Sequence, residues 1–312
     1  MRMKNQIIKA IRKNPILLRL SRLAYGRVLE AGFIKNMFSD PKSIKKDKFW
    51  YEKVKSTQLE KERPLFLDRQ EELKKFFGLK DTDLIKLYLR EGLPSSYRFK
   101  RKLVKAFDRN TYTELKIKKA YGDASLLYTL RLMLGYERYS FIMPYLDTIK
   151  EYLKRPFDRL NVLDYGCGVS DIGLLFMKLG AKLTLADLDD KKFNFTAWRF
   201  EKRGLRPDMI RIMDTGKYPK LEDNRYDIII ATEILEHVRN PLELLKNLTS
   251  SLKKDGLLFD SLAGEFEKEV RGDHLKEAVE IGKSKEYQDF YKKNYSKLSK
   301  DKKLNFLFRV KK

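Results

Sequence analysis

Four carboxylates close or directly follow apolar runs in the second half of this 312-residue chain: Asp164 in NVLDYG, Asp187 in KLTLADL, Asp214 in MIRIMDT and Glu233 in YDIIIATE. The first is followed at once by a glycine pair, Gly166 and Gly168, within the stretch VLDYGCGVSDIG, residues 162–173. An apolar run, a carboxylate, a glycine turn and then the helical pattern LLFMKLG read as a buried strand, a tight bend and a helix N-terminus. That order makes the ligand cradle of an open α/β sheet. Glycine is needed in such a bend because a Cβ would block the approach of backbone to ligand. The chain has two histidines, and both lie in the same half: His237, just after Glu233 and Glu236, and His274. Imidazoles beside carboxylates can move a proton at a reacting atom or share a metal ion.

The charges narrow the ligand. A dinucleotide site has the spacing G-x-G-x-x-G, and counting from Gly166 puts Asp171 at the third glycine. A pyrophosphate would also be repelled by Asp164. Four acids along one sheet edge, in a chain of net charge +24, suit a cation that carries hydroxyls. S-adenosylmethionine, with a sulfonium, an ammonium and a ribose diol, has that chemistry.

These residues resemble the class I S-adenosylmethionine-dependent methyltransferases. The resemblance rests on VLDYGCGVSDIG, the acid ending the second strand, the aspartate after the third and ATEILEHV at the fourth, and it covers about residues 120–312. The LEHV form is similar to the branch of the ubiquinone-biosynthesis type enzymes. It implies that Asp164, Tyr165, Gly166, Cys167 and Gly168 form the loop beside the methionine part of the cofactor. Asp187 would accept from both ribose hydroxyls, with Leu188 against the adenine and Asp214 and Thr215 near its amino group. Thr232 and Glu233 would border the sulfonium, with Glu233 and His237 as the candidate catalytic pair. Ser170 stands where the family usually has a third glycine, and a serine there is expected to cap the next helix. Cys167 reads as a small packed residue of the turn, and Gly173 as a site of close helix–sheet packing. Glu233, Glu236, His237 and His274 together are similar to the metal-binding set of the small-RNA 3′-terminal 2′-O-methyltransferases. That gives an alternative, metal-assisted reading on RNA; the favoured set contains no metal. A third reading is a non-catalytic binding protein of the same fold.

Alternating strand and helix patterns predict a Rossmann-like, mostly parallel sheet with helices on both faces. Strands are expected at residues 161–166, 182–188, 209–215, 226–233, 256–263 and 304–310. Gly180 and Gly204 should stop the first two helices. A further helix should open with Asn240 as cap, Pro241 at its first position and Glu243 as partner, with Leu245, Leu248 and Leu252 on its inner face. The domains divide as a helical, basic N-terminal region (1–118) and the Rossmann-like domain (119–312).

Residues 1–150 hold 35 Lys/Arg against 17 Asp/Glu, whereas residues 151–312 hold 33 against 27, so the positive excess sits in the first half. Such an excess is suited to an anionic partner, nucleic acid or acidic lipid, or is simply a solvated surface. Residues 1–28 have eight basic residues and no acid, interleaved with Ile and Leu at near-helical spacing. That pattern fits a membrane surface or packing on the parent domain. Short helices are expected over 64–109, one ending at Gly78, and a tyrosine-rich helical stretch over 112–154. The expected substrate is a small molecule, lipid or glycan intermediate. One cysteine excludes an internal disulfide, and no run is long enough to cross a membrane. The expected location is the cytoplasm, with room for peripheral membrane contact.

Overall fold

The computed structural model describes residues 69–80, 145–213, 216–262, 274–298 and 306–312, together with Thr129, Met133 and Ile142. The basic stretch 1–28, the helices expected over 81–109, most of the tyrosine-rich stretch, and Asp214 and Thr215 lie outside these residues. The elements are α1 (Arg69–Phe77), α2 (Leu146–Leu153), β1 (Asn161–Tyr165), α3 (Asp171–Lys178), β2 (Lys182–Leu188) and α4 (Lys191–Glu201). They continue with β3 (Asp208–Ile212), β4 (Tyr226–Ala231), α5 (Pro241–Ser251), β5 (Leu252–Asp260), α6 (Lys276–Lys283), α7 (Lys285–Asn294), β6 (Tyr295–Lys297) and β7 (Leu307–Val310).

The seven strands form one sheet in the order β3-β2-β1-β4-β5-β7-β6. β1 to β5 are mutually parallel, while β7 runs antiparallel to β5 and β6 to β7. Successive residues of the central strands alternate between two buried clusters. Val162, Leu185, Ile228 and Ile230 face α2, α3 and α4; Leu163, Ala186, Ile229 and Leu258 face α5, α6 and α7. The period of two is that of a pleated strand, and helices cover both faces because both are apolar. Strand order reverses between β1 and β4, so the carboxyl ends of these two strands form the crevice where such sheets take ligands.

The helix boundaries follow local chemistry. Gly180 (φ 98) and Gly204 (φ 62) end α3 and α4 in the left-handed conformation, and Gly78 (φ 65) follows α1 in the same way. Asn240 Oδ1 accepts from the Glu243 N–H at 3.1 Å, with Pro241 at the first position of α5. Leu252 belongs to β5 rather than to the inner face of α5. The strand starts early, pairing Leu252 with Tyr226 before a bulge that resumes at Leu257 and Ile228. β4 is shorter than expected, because the backbone at Glu233 takes φ 53 and leaves the strand direction. The edge strand β6 was not expected. It follows α7 without a connecting loop and lies antiparallel to β7.

Candidate functional site

The bend after β1 is tied to its neighbours at nearly every backbone group. The N–H groups of Gly166 and Cys167 donate to the Ala186 carbonyl of β2 at 2.7 and 3.2 Å. Gly166 (φ 65) and Gly168 (φ 60) are both left-handed. A Cβ on Gly166 would lie 2.5 Å from Ile234 Cδ1, which brings the segment after β4 up to the bend. Gly168 N–H donates to Asp187 Oδ2 at 2.7 Å, and its carbonyl accepts from Thr196 Oγ1 at 2.7 Å. The Val169 carbonyl accepts from the Arg199 guanidinium.

Ser170 sits at the N-cap position of α3, but its hydroxyl makes no cap hydrogen bond. It donates instead to Asp164 Oδ2 at 2.8 Å, so the expected capping role is corrected. Asp164 is 4% exposed at the end of β1, and a buried carboxylate draws the nearest donor. Gly173 makes room for this: a Cβ there would fall 2.2 Å from Ser170 Oγ and 3.0 Å from Leu183 Cδ2 on β2. Close helix–sheet packing at Gly173 is therefore as expected.

Asp187, buried at the end of β2, is not a helix cap, because Asp190 caps α4 by accepting from Phe193 N–H at 2.9 Å. Asp187 Oδ1 accepts from Leu188 N–H at 2.7 Å; Oδ2 accepts from Gly168 N–H and from Lys192 Nζ, each at 2.7 Å. A carboxylate has about four acceptor positions, so one remains for a ligand hydroxyl. A second hydroxyl of a diol can accept from Lys192. Burial pulls the Lys192 pKa down, but Asp187 and then Asp190 outweigh it and the net direction is up, so the lysine stays charged. Sequence reasoning missed Lys192, since nothing marks one basic residue among 68. Burial, then Asp187 and Asp164, push the Cys167 pKa well up, so the residue is a packed neutral thiol. Asp164 and Asp187 outweigh Lys192 in charge around the glycine bend. A cationic nucleoside fits that donor set.

On the β4 side, Thr232 is half-buried and Glu233 exposed, the latter donating its N–H to Ser261 Oγ at 2.8 Å. A short 3-10 turn, Leu235–His237, then carries Glu236 inward and leaves His237 half-buried. His274 is brought to it by the segment before α6, where Leu275 N–H donates to the Glu236 carbonyl at 3.0 Å. The two imidazoles meet edge to face with centroids 5.2 Å apart. One potential ligand atom from each of Glu236, His237 and His274 lies within 4.8 Å of the other two. Of the four residues in the metal-assisted alternative, three come together, and Glu233 is not among them.

A family model described as a methyltransferase domain matches residues 136–294, half of the chain, and the chain belongs to that family, the class I S-adenosylmethionine-dependent methyltransferases. Among curated proteins it is 30% identical over 105 residues to the ubiquinone biosynthesis O-methyltransferase of Parvibaculum lavamentivorans, covering 34% of this chain and 41% of that protein. It is 31% identical over 119 residues to the enzyme of that name from Actinobacillus pleuropneumoniae serotype 7, covering 37% and 50%. The chain thus spans about half or less of these relatives' length. Solved structures similar to it include the PH0226 protein from Pyrococcus horikoshii (20% identity, TM-score 0.40, 56% of this chain and 90% of that one). Another is a SAM dependent methyltransferase from Aquifex aeolicus (19% identity, TM-score 0.40, 64% and 97%). Among the described residues no helix is long and apolar enough to cross a membrane.

Proposed function

We propose that the chain binds S-adenosylmethionine at the glycine bend and transfers its methyl group to a small-molecule, lipid or glycan acceptor. The observation that carries this is the glycine bend itself, inside the family-matched stretch and clasped through Gly168 by Asp187 at the carboxyl edge of the sheet. When bound, the cofactor supplies a methyl group already activated by a sulfonium. The chain's own work is alignment and exclusion of water. Asp187 and Lys192 hold the ribose diol, one accepting and one donating, and Leu188 lies against the base. Asp164, Tyr165, Gly166, Cys167 and Gly168 shape the wall beside the methionine part. The resemblance to the family assigns Asp214 and Thr215, which lie outside the described residues, to the adenine side, and Thr232 and Glu233 border the acceptor entrance. His237 takes the proton of an acceptor hydroxyl. The curated relatives' name, which specifies O-methylation in ubiquinone biosynthesis, supports an oxygen acceptor. Calorimetry with S-adenosylmethionine, followed by transfer of labelled methyl to fractionated cell extract, tests the reading; absence of binding by the folded chain defeats it.

A second reading is favoured by the Glu236–His237–His274 group. Two imidazoles and a carboxylate are the donor set of a zinc- or manganese-like ion. A bound ion would orient an acceptor's hydroxyls, as in the RNA-directed alternative. Dialysis against each metal followed by elemental analysis decides it: about one ion per chain, lost in His274→Ala, is expected on this reading, and no retained metal removes it.

A further inference from the structure

α1 packs on α4 through two kinds of contact. Phe76 and Phe77 meet Phe195 with ring centroids 5.2 and 5.5 Å apart, and Phe76 meets Trp198 at 5.5 Å. Beside them Glu72, 5% exposed, accepts through Oε2 from Arg199 Nε at 3.0 Å and through Oε1 from the Arg203 guanidinium. Arg199 is fully buried, and its Nη1 donates to Asp171 Oδ1 at 3.1 Å and to the Val169 carbonyl. Thr196, one turn earlier on α4, holds the preceding carbonyl, that of Gly168. One face of α4 therefore grips two successive carbonyls of the bend, and the gripping guanidinium is paired with a carboxylate 127 residues away in the chain. Two guanidiniums and two carboxylates balance in this buried group. Removing Glu72 takes away the carboxylate that both guanidiniums share and leaves this group's two guanidiniums to Asp171 alone, and a buried group with an uncompensated charge rearranges. Any shift of the Arg199 guanidinium that relieves the imbalance loosens its hold on the Val169 carbonyl.

We infer that Glu72 is a positioning residue for the cofactor: through Arg199 it holds residues 166–170 in the shape that binds S-adenosylmethionine, so that α1 is a working part of the cofactor site. This rests on the cofactor reading above, and the test separates the two. In the full chain without ligand, Glu72→Gln should speed amide hydrogen exchange over residues 166–172 by about tenfold and, with S-adenosylmethionine added, weaken its Kd by about tenfold. Glu72→Asp, which keeps the charge, should fall between wild type and Glu72→Gln. Phe76→Ala, which loosens α1 without touching the charges, should lower Tm and leave the Kd within about twofold. Wild-type exchange and Kd in folded Glu72→Gln overturn the inference, as does an equal loss of affinity in Phe76→Ala. If Glu72→Gln does not fold, wild-type exchange in Glu72→Asp overturns it instead. A wild-type chain that takes up no S-adenosylmethionine defeats the cofactor reading, while the exchange comparison still decides the role of Glu72.

Discussion

At the amino end of the sheet, Asp227 near the start of β4 accepts from Asn161 N–H at 2.8 Å, from Lys253 Nζ at 2.9 Å and from the Arg155 guanidinium. At the carboxyl end, Asp187 also has three donors, but two of them are backbone N–H groups at and beside the bend. Both carboxylates are buried and both are well bonded, so bond count does not tell them apart. Donor identity does. Asp227 gathers side chains and backbone from β1, β5 and the turn before β1, and so fastens the sheet. Asp187 fixes the conformation of a glycine bend in the crevice where strand order reverses.

The largest effect should come from breaking the carboxyl end. Asp187→Ala is expected to weaken S-adenosylmethionine binding by about a hundredfold, the loss of hydrogen bonds to a charged group, while circular dichroism still shows a folded chain. Wild-type affinity in that variant would erase the distinction between the two ends. Next, Gly166→Ala forces a left-handed alanine against Ile234; it should cost about 1–2 kcal/mol from the backbone alone, read as a lower Tm together with weaker cofactor binding. Asp227→Ala should lower stability and leave cofactor binding untouched. The partners Arg155 and Lys253 are 43% and 33% exposed, so solvent takes up part of their charge. A loss of about 1–2 kcal/mol in urea unfolding is expected, with the cofactor Kd unchanged.

The smallest effect is one of pH. Burial raises the Asp227 pKa, but the Asn161 N–H, Lys253 and Arg155 outweigh it and the net direction is down. Its contribution to stability is therefore complete above the unfolded value of about 3.9 and fades as pH falls through the lower folded value. Urea midpoints measured between pH 5 and 3 should fall less steeply in Asp227→Asn than in the wild type; identical slopes would remove Asp227 from the acid response.

The parallel strands and the bend could be read in the sequence because both leave local marks. A strand buried on two faces is an apolar run, and a left-handed turn calls for glycine at Gly166 and Gly168. The cap at Asn240 was equally local. What could not be read depends on distant partners. Arg199 has the sequence look of a solvated helix position, and only the arrival of Glu72 and the Val169 carbonyl explains its complete burial. Ser170 reads as a cap until Asp164 is placed beside it. Glu236 and His237 are adjacent in sequence, but which further residues join them depends on the path into α6. His274 joins through the Leu275 N–H bond to the Glu236 carbonyl, and Glu233 does not.

The position of the chain's single sulfur nucleophile has a practical consequence. Cys167 lies inside the bend, 7% exposed and held as a neutral thiol. A thiol-specific dye added to native protein can therefore react only when this segment opens. The labelling rate becomes a stopwatch for that opening, one that requires no engineered reporter and that occupancy of the crevice should slow.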